Sequence, residues 1–399
     1  MIEIENVLLE YRPNLSSINC FILSSNDINN PVKIVIEPHG IEIRENNKSQ
    51  FITTSHVFSI KNASLFNFNV GNKFISFSFL NERLSNEELL LPKIEKLERT
   101  LFSGLSLVTN TNYKVTCSNC SANLMLGTSA LFHRILELPM QFEMEDMFCH
   151  LHSNEDDEIL EEQSLEVIND KYCHNDHGSG ESVAHKFQPN TGDIFYGTFY
   201  ILMNYLLFNK ESMKQDGPNA HCKRCLHLIG QVSSNQSSMK IWCENIHFNG
   251  SYFYQTPQSI DLVTNAIKRI IFSYHIVPSI PNVRIILECV VPKTNKKHNL
   301  LLQVMDRNLI IFQQADEDYQ VKKTNAMKIM FCACHMQQSL GKLDRDELLK
   351  SWSKDLNVNT FEISFELFNR FYNHLNENSL FIPHLHRTNG LFTFSYIDL

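Results

Sequence analysis

The sequence predicts an α+β protein that is predominantly antiparallel β. Three observations lead to this prediction: short alternating segments near the start, two C-x-x-C pairs in the middle, and a mixture of strand-like and helix-like segments towards the end. They divide the 399 residues into a β-rich N-terminal domain (1–110), a β middle domain stapled by zinc (111–250) and a mixed α/β C-terminal region (251–399). A chain of this length is expected to form more than one domain.

The N-terminal domain is rich in short runs of Ile, Val, Phe and Thr. Several runs, such as VKIVIEP and GIEIRE, alternate apolar with polar residues, which is the period-2 pattern of half-buried strands. Asn, Asp, Ser and Gly cluster between the runs, as in SSNDINNP, and these clusters predict turns. Regularly spaced short strands joined by turns favour an antiparallel sheet or a barrel-like sandwich.

The middle domain holds two C-x-x-C pairs, Cys117 with Cys120 and Cys222 with Cys225. Two intervening residues allow both thiolates to face one ion while the backbone amides turn towards the sulfurs, and this is the geometry of a zinc knuckle. Two such knuckles would complete a four-cysteine structural site. A redox dithiol is one alternative, although neither pair opens a helix in a βαβ context; two thiols that lie close by coincidence are another.

Two features of the pairs leave the ligand set open. About a hundred residues separate the first pair from the second, which is longer than in a compact zinc ribbon, so the spacing does not decide which ligands share an ion. Neither pair is followed by the glycine that often eases such turns, because Ser121 and Leu226 stand at those positions.

A third cluster, FCHLH, offers Cys149, His150 and His152 as ligands. Neighbours on a strand point to opposite faces, so Cys149 could bind with His150 at a sharp turn, with His152, or alone beside one knuckle. CHNDH, in a predicted acidic loop (153–188), and FCACH, on a predicted buried strand or helix, are expected not to bind metal. The isolated cysteines are predicted to be small buried hydrophobic residues, namely Cys20, Cys243 and Cys289.

The C-terminal region mixes the two element types. QSIDLVTNAIKRIIFSYHI, DRDELLKSWSKDL and FEISFELFNRFYNHLNENS predict helices, the first from the spacing of its apolar residues. NVRIILECVVP and the closing LFTFSYIDL predict strands. NLLLQVMDRNLIIFQQ predicts two more strands, joined by a turn at Asp-Arg-Asn.

The composition excludes several classes of protein. A hydrophobic fraction of 43% and a charged fraction of 20% describe an ordinary globular protein, and a net charge of −9 argues against direct nucleic-acid binding. The chain starts without a basic segment before an apolar run, and its most apolar stretch, 195–208, is too short to span a bilayer. We therefore expect no membrane association and a cytoplasmic location, with the nucleus as a second compartment, where eleven cysteines should not form a disulfide framework.

Taken in chain order, several motifs resemble the HECT-like proteins that bind ubiquitin-conjugating enzymes, described as ubiquitin ligases of the E3D type. The motifs are CSNC (117–120), RILELP (134–139), CH (149–150), GDIFYGTFYILMN (192–204), CKRC (222–225) and SWSKDLNV (351–358), followed by a Leu/Phe-rich helix, an IP and a closing FTFSYI. The β-rich N-terminal domain is similar only in character. The motifs nevertheless occur in the family's order across nearly the whole length of the chain.

The resemblance implies a protein that binds a ubiquitin-conjugating enzyme and promotes transfer of ubiquitin to substrates such as cyclins, or to itself. It also implies an association with the endonuclease that cleaves pre-mRNA 3′ ends. It identifies zinc as the cofactor and favours His150 over His152. The implied ligands are Cys117, Cys120, Cys149, His150, Cys222 and Cys225.

The chain departs from a true HECT ligase near its C-terminus. Such a ligase passes ubiquitin through a thioester on a cysteine there, whereas the 65 residues after Cys334 contain none. No catalytic residue is therefore assigned, and a scaffold that positions the charged conjugating enzyme fits better. The alternative is a non-enzymatic, zinc-stabilised assembly factor for the pre-mRNA 3′-end cleavage and polyadenylation endonuclease.

Overall fold

A computed structural model gives the fold of this chain. It describes residues 2–46, 48–54, 58–60, 63–81, 107–138, 188–254, 263–268, 270, 283–292, 294, 296–314, 321–334, 342–355 and 357–398. The first strands are β1 (Ile4–Arg12), β2 (Ser17–Ser24), β3 (Val32–Glu37), β4 (Gly40–Glu45), β5 (Lys48–Thr53), β6 (Ser64–Gly71) and β7 (Phe74–Leu80).

The middle of the chain also consists mainly of strands. They are β8 (Thr111–Tyr113), β9 (Val115–Cys117), β10 (Ala130–Phe132), β11 (Arg134–Glu137), β12 (Asp193–Tyr196), β13 (Tyr200–Asn204), β14 (Met213–Asp216), β15 (Asn219–Cys222), β16 (Leu228–Val232), β17 (Ser238–Trp242) and β18 (Ile246–Phe248).

The C-terminal part mixes strands and helices. Its strands are β19 (Arg284–Val290), β20 (Lys297–Gln314), β21 (Val321–Cys334), β22 (Val358–Glu362), β23 (Thr388–Asn389) and β24 (Phe392–Asp398), and its helices are α1 (Lys342–Ser353), α2 (Phe365–Ser379) and α3 (His384–Arg387). Residues 263–268 are helical within the first predicted helix. The described chain is thus β-rich with few helices and mostly antiparallel pairing, which confirms that part of the predicted fold class.

The largest sheet has ten described strands, in the order β23-β24-β21-β20-β1-β2-β7-β6, with β19 on β20 and β22 on β19. Only the β19–β22 pair is parallel in this sheet. The 18-residue β20 pairs with β19 at 297–303 and with β1 at 310–313. Strands from the predicted N-terminal domain and C-terminal region therefore share one sheet; the domain boundaries themselves stay predictions.

The predicted Asp-Arg-Asn turn is wrong. β20 runs through it as one strand against β21, and the register shifts between Val304 and Asp306 and again between Asp306 and Leu309. The polar residues that suggested a turn are accommodated as a β-bulge, which leaves residues out of the ladder without reversing the chain.

The sheet β3-β4-β5 packs on one face of the ten-stranded sheet. Ile41, Ile43 and Ile52 share a buried cluster with Leu9 and Phe77 of β1 and β7. Helix α2 packs against β19, β20 and β21, and its N-cap is Ser364, whose hydroxyl accepts the N–H of Leu367 at 3.0 Å. No helix in the described part of the chain is long and apolar enough to cross a bilayer.

The second large sheet has seven strands, ordered β11-β12-β13-β17-β16-β15-β14, and only β11–β12 is a parallel pair in it. Two short pairs, β8–β10 and β9–β18, complete this part of the chain. The buried cluster beneath the sheet includes Cys117 and Cys222 together with Phe248 and Phe253. The metal-site candidates are therefore part of this core.

Two polar contacts join the seven-stranded sheet to the C-terminal part. The buried Lys240 pairs with Glu362 at 2.6 Å and lies over the rings of Tyr200 and Trp242. Nearby, the hydroxyl of Ser364 donates to Glu244. Desolvation raises the pKa of Glu244 to about 7, although the Ser364 hydrogen bond acts in the opposite direction.

Glu244→Gln is expected to remove a pH dependence of stability. The unfolded carboxyl ionises near pH 4.5, whereas the folded one resists ionisation up to about pH 7. The wild-type free energy of unfolding should therefore fall, relative to that of the variant, as the pH rises through this window. Urea unfolding at pH 5 and pH 8 measures the difference. Parallel pH profiles for the two proteins would contradict the assignment.

Candidate metal centre

The sulfur atoms of the two C-x-x-C pairs converge. The Sγ atoms of Cys117, Cys120, Cys222 and Cys225 all lie within 4.8 Å of one another. Cys117 Sγ is 3.6 Å from Cys225 Sγ, and Cys120 Sγ is 3.6 Å from Cys222 Sγ. A tetrahedral ion with metal–sulfur bonds of about 2.3 Å places its sulfurs about 3.8 Å apart. The four thiols, which form no disulfide, therefore have the spacing of a metal site.

Each pair forms a turn of the same shape at the end of a strand. β9 ends at Cys117, whose carbonyl accepts the N–H of Ser121 at 2.9 Å. β15 ends at Cys222, whose carbonyl accepts the N–H of Leu226 at 2.7 Å. Ser121 and Leu226 have φ angles of 58° and 59°, so both turns close through a left-handed residue. The fold supplies this conformation without the glycine that eases it.

The environment of the sulfurs suits thiolate ligands. Burial raises the pKa of Cys117 and Cys222, while backbone N–H groups at positions 119–120 and 224–225 act against it. At Cys225 the burial is outweighed by the backbone N–H of His227 and by neighbouring side chains, which lower the pKa to about 7. The four neighbouring thiols, two of which are buried, cannot all ionise in the absence of a cation, because their negative charges would repel one another. The donor set therefore fits a positively charged ion at its centre.

Asn245 connects the two turns and is 2% exposed. Its carbonyl accepts the N–H of Ser118 at 3.0 Å, and its side-chain amide donates to the carbonyl of Leu228 at 2.7 Å. The next residue, Ile246, pairs with Cys117 across β9 and β18. Sequence reasoning missed this residue because a single asparagine carries no signal of such a contact.

Comparison with known proteins identifies the family. The chain matches the family model described as HECT-like Ubiquitin-conjugating enzyme (E2)-binding over residues 10–394. The chain is a HECT-like E2-binding protein. No curated protein and no solved structure matched it. The resemblance seen in the sequence is thus confirmed, and the family description indicates a role in binding within the ubiquitin-conjugation pathway.

The structure of this HECT-like protein brings together four of the six predicted ligands. Cys149 and His150 lie outside the described residues, as do His152, CHNDH and the acidic loop 153–188 except for its last residue. Cys332 and Cys334 of FCACH are buried in β21 beside Trp352. The prediction of buried isolated cysteines is confirmed for Cys20, Cys243 and Cys289.

Leu226→Gly is expected to stabilise this HECT-like protein by up to about 1.5 kcal/mol. Leu226 is 60% exposed at a φ of 59°. Glycine relieves about 1–2 kcal/mol of left-handed strain and loses about 0.5–1 kcal/mol through its freedom in the unfolded chain. Thermal unfolding measures the change. Leu226→Ala is the control, because it shortens the side chain but keeps the strain; an alanine variant as stable as the glycine variant would refute the explanation.

Proposed function

We propose that this HECT-like protein is a ubiquitin ligase, or a ligase cofactor, that binds a ubiquitin-conjugating enzyme and promotes ubiquitin transfer by scaffolding. The observation that carries the proposal is the burial of its thiols. In the described part of the chain, every cysteine outside the four-cysteine cluster is buried, including Cys289, Cys332 and Cys334 of the C-terminal part. A thioester intermediate needs an accessible thiolate, so the conjugating enzyme is the better carrier.

In this mechanism the protein positions the charged conjugating enzyme and forms no covalent bond with ubiquitin. Ubiquitin stays on the cysteine of the conjugating enzyme until an amine attacks the thioester. Holding the charged enzyme beside an acceptor lysine converts a collision between two molecules into a step within one complex, which can lower the barrier by several kcal/mol. Cyclins, or lysines of the protein itself, are the acceptors that we infer.

We infer that zinc occupies the four-cysteine cluster as a structural ion. Four thiolates in a tetrahedral arrangement are a zinc donor set, and a closed set leaves no position for a substrate. The cluster is complete with four ligands, so Cys149 and His150 would belong to another ion. Elemental analysis tests this. One zinc per chain supports the cluster as the single site, two would show a second site for which Cys149 and His150 are the candidate ligands, and no zinc would refute the inference.

A discharge assay tests the ligase function. Ubiquitin-conjugating enzymes charged with ubiquitin are mixed with the purified chain and free lysine, and loss of the thioester is followed on non-reducing gels. We expect faster loss with at least one conjugating enzyme and no thioester-linked ubiquitin on this chain. Faster loss with none of them would refute the ligase proposal and leave the assembly factor for the 3′-end endonuclease.

Two variants separate scaffolding from covalent transfer. Cys149 and Cys173 are the cysteines outside the described residues, so we would test Cys149→Ser and Cys173→Ser one at a time. The scaffold mechanism predicts that discharge to lysine persists in both variants. Loss of discharge in one of them, together with a reducible ubiquitin adduct on the wild-type chain, would show covalent transfer instead.

A further inference from the structure

Three exposed leucines lie on the loops around the four-cysteine cluster. Leu126, Leu206 and Leu226 are 72%, 65% and 60% exposed, and among the other large apolar side chains that the structure describes only Val108 and Leu15 reach 60%. Single exposed leucines are common on proteins, whereas exposed leucines on loops that are bonded to one another make those loops a candidate interaction site. We call these three residues the leucine surface.

Backbone hydrogen bonds connect the loops that carry the leucine surface. Loop 206–212 lies between the two turns of the cluster: its Leu207 carbonyl accepts the N–H of Leu126, and its Ser212 carbonyl accepts the N–H of Lys223, both at 2.9 Å. The first bond reaches the segment after the first turn, and the second reaches the tip of the second turn. The three leucines therefore project from one connected set of loops.

The cluster itself fixes these loops from beneath. Cys120 and Cys222 bring the two turns within 3.6 Å at their sulfurs, and Arg224 reaches across to the carbonyl of Cys120 at 3.4 Å. A surface whose loops are already ordered loses little conformational entropy when a partner binds. Such preorganisation distinguishes the leucine surface from single apolar side chains elsewhere on the molecule.

With the zinc that we propose, the formal charges of the four-cysteine cluster and of the segment that carries Leu206 and Leu226 cancel. Residues 206–226 carry four basic and two acidic side chains, an excess of two positive charges, and a divalent ion with four thiolates carries two negative charges. These charges cancel within a chain whose net charge is −9. A partner would therefore be held mainly by apolar contact and with little dependence on salt.

We propose that the ubiquitin-conjugating enzyme docks on the leucine surface through an apolar patch of its own. The inference rests on the proposed function, because the family match supplies the partner. The four-cysteine cluster then has a defined role in binding, since it holds the docking loops in place. The leucines would enter the centre of the interface, where a few buried side chains supply most of the affinity.

The test compares two leucine variants of the full-length chain. The first is Leu126→Ser/Leu206→Ser/Leu226→Ser. The matched control is Leu380→Ser/Leu385→Ser, whose leucines are 57% and 59% exposed and lie in the C-terminal part. Zinc content and thermal unfolding of both variants check that the fold is intact, and exposed positions of this kind rarely affect stability by more than about 0.5 kcal/mol.

Affinity is measured by biolayer interferometry against a panel of conjugating enzymes, each linked to ubiquitin by a stable isopeptide bond at its active site. We expect the triple variant to bind at least about tenfold more weakly than the wild type, the control variant to bind as the wild type does, and the wild-type affinity to change less than about threefold between 50 and 300 mM salt.

The outcomes separate this inference from the proposed function. If the wild type binds no conjugating enzyme of the panel, the proposed function fails and the docking site fails with it. If the wild type binds one and the triple variant binds it equally well, the leucine surface is wrong while the proposed function stands. Loss of binding in the control variant alone would place the docking site on the C-terminal part.

Discussion

Replacing Cys222 and Cys225 by serine is expected to abolish binding of the zinc that we propose for the four-cysteine cluster, and to unfold the part of the chain built on the seven-stranded sheet. Both residues lie in the four-cysteine cluster, and Cys222 is also part of the buried core. Structural zinc sites contribute about 10 kcal/mol or more in small domains, which is comparable to the whole stability of a typical domain, about 5–15 kcal/mol. The loss should therefore be too large for the remaining contacts to offset.

Three measurements check this result: zinc content by elemental analysis, the thermal unfolding transition, and hydrogen exchange of the amides in residues 193–248. Cys243→Ser is the matched control, because Cys243 is 2% exposed in the same core but outside the cluster. The control should keep its zinc and lose only about 1–3 kcal/mol for a buried hydroxyl. A cluster variant that keeps both zinc and slow exchange would refute the metal centre.

Lys328→Met is expected to destabilise the ten-stranded sheet by about 3–5 kcal/mol. Glu10 is fully buried in β1 and accepts hydrogen bonds from Lys328 Nζ at 2.6 Å, from the Asn19 amide at 3.0 Å and from the Tyr396 hydroxyl. Burial alone would raise the pKa of Glu10, but these partners, led by Lys328, lower it. Methionine cannot pair with the carboxylate, so among the described residues the buried charge would keep only the longer ion pair with Arg12, whose guanidinium lies 3.6 Å away and is partly exposed.

The double variant Glu10→Gln/Lys328→Met is the control for this prediction. It removes both charges, and a buried ion pair replaced by neutral side chains of similar size costs little. The double variant should therefore be more stable than Lys328→Met alone, which urea unfolding measures. Additive losses in the double variant would show that the pair does not interact.

The pH dependence gives an independent check. In the wild type, the lowered pKa of Glu10 means that its contribution is present above the unfolded value near 4.5 and is lost as the pH falls through the folded pKa. In Lys328→Met the buried carboxyl loses its closest cation, so burial should raise its pKa. The variant's loss of stability relative to the wild type should then grow as the pH rises from 4.5 to 8. A deficit that is the same at both pH values would contradict this account.

Local patterns predicted much of what the structure contains. The alternation of apolar and polar residues identified strands such as β3 and β4, and the two-residue spacing between cysteines identified both turns of the four-cysteine cluster. These features are encoded within a few residues, because a strand and a C-x-x-C turn each need only their own backbone geometry. The helices α1 and α2 were predicted for the same reason.

Such local patterns could not predict the long-range contacts. Nothing in β1 indicates that it pairs with β20 some 300 residues later, or that Glu10 meets Lys328. Nothing in the sequence distinguishes Asn245 from an ordinary turn residue, and only the fold places it against the turns of the four-cysteine cluster. The composition of residues 306–308 fits a turn and a bulge equally well, and only the pairing with β21 decides between them.

The pairing of β1 with β20 also affects the order in which the strands can pair while the chain is being synthesised. On the ribosome, β1, β2, β6 and β7 can associate early, because their pairing partners lie within the first 80 residues. β1 then forms the edge of this partial sheet. Its backbone N–H and C=O groups on that side have no strand to bond to until residues 310–313 emerge. An open apolar edge invites pairing with other chains. The first strands of the nascent protein should therefore need protection by chaperones until β20 has been synthesised.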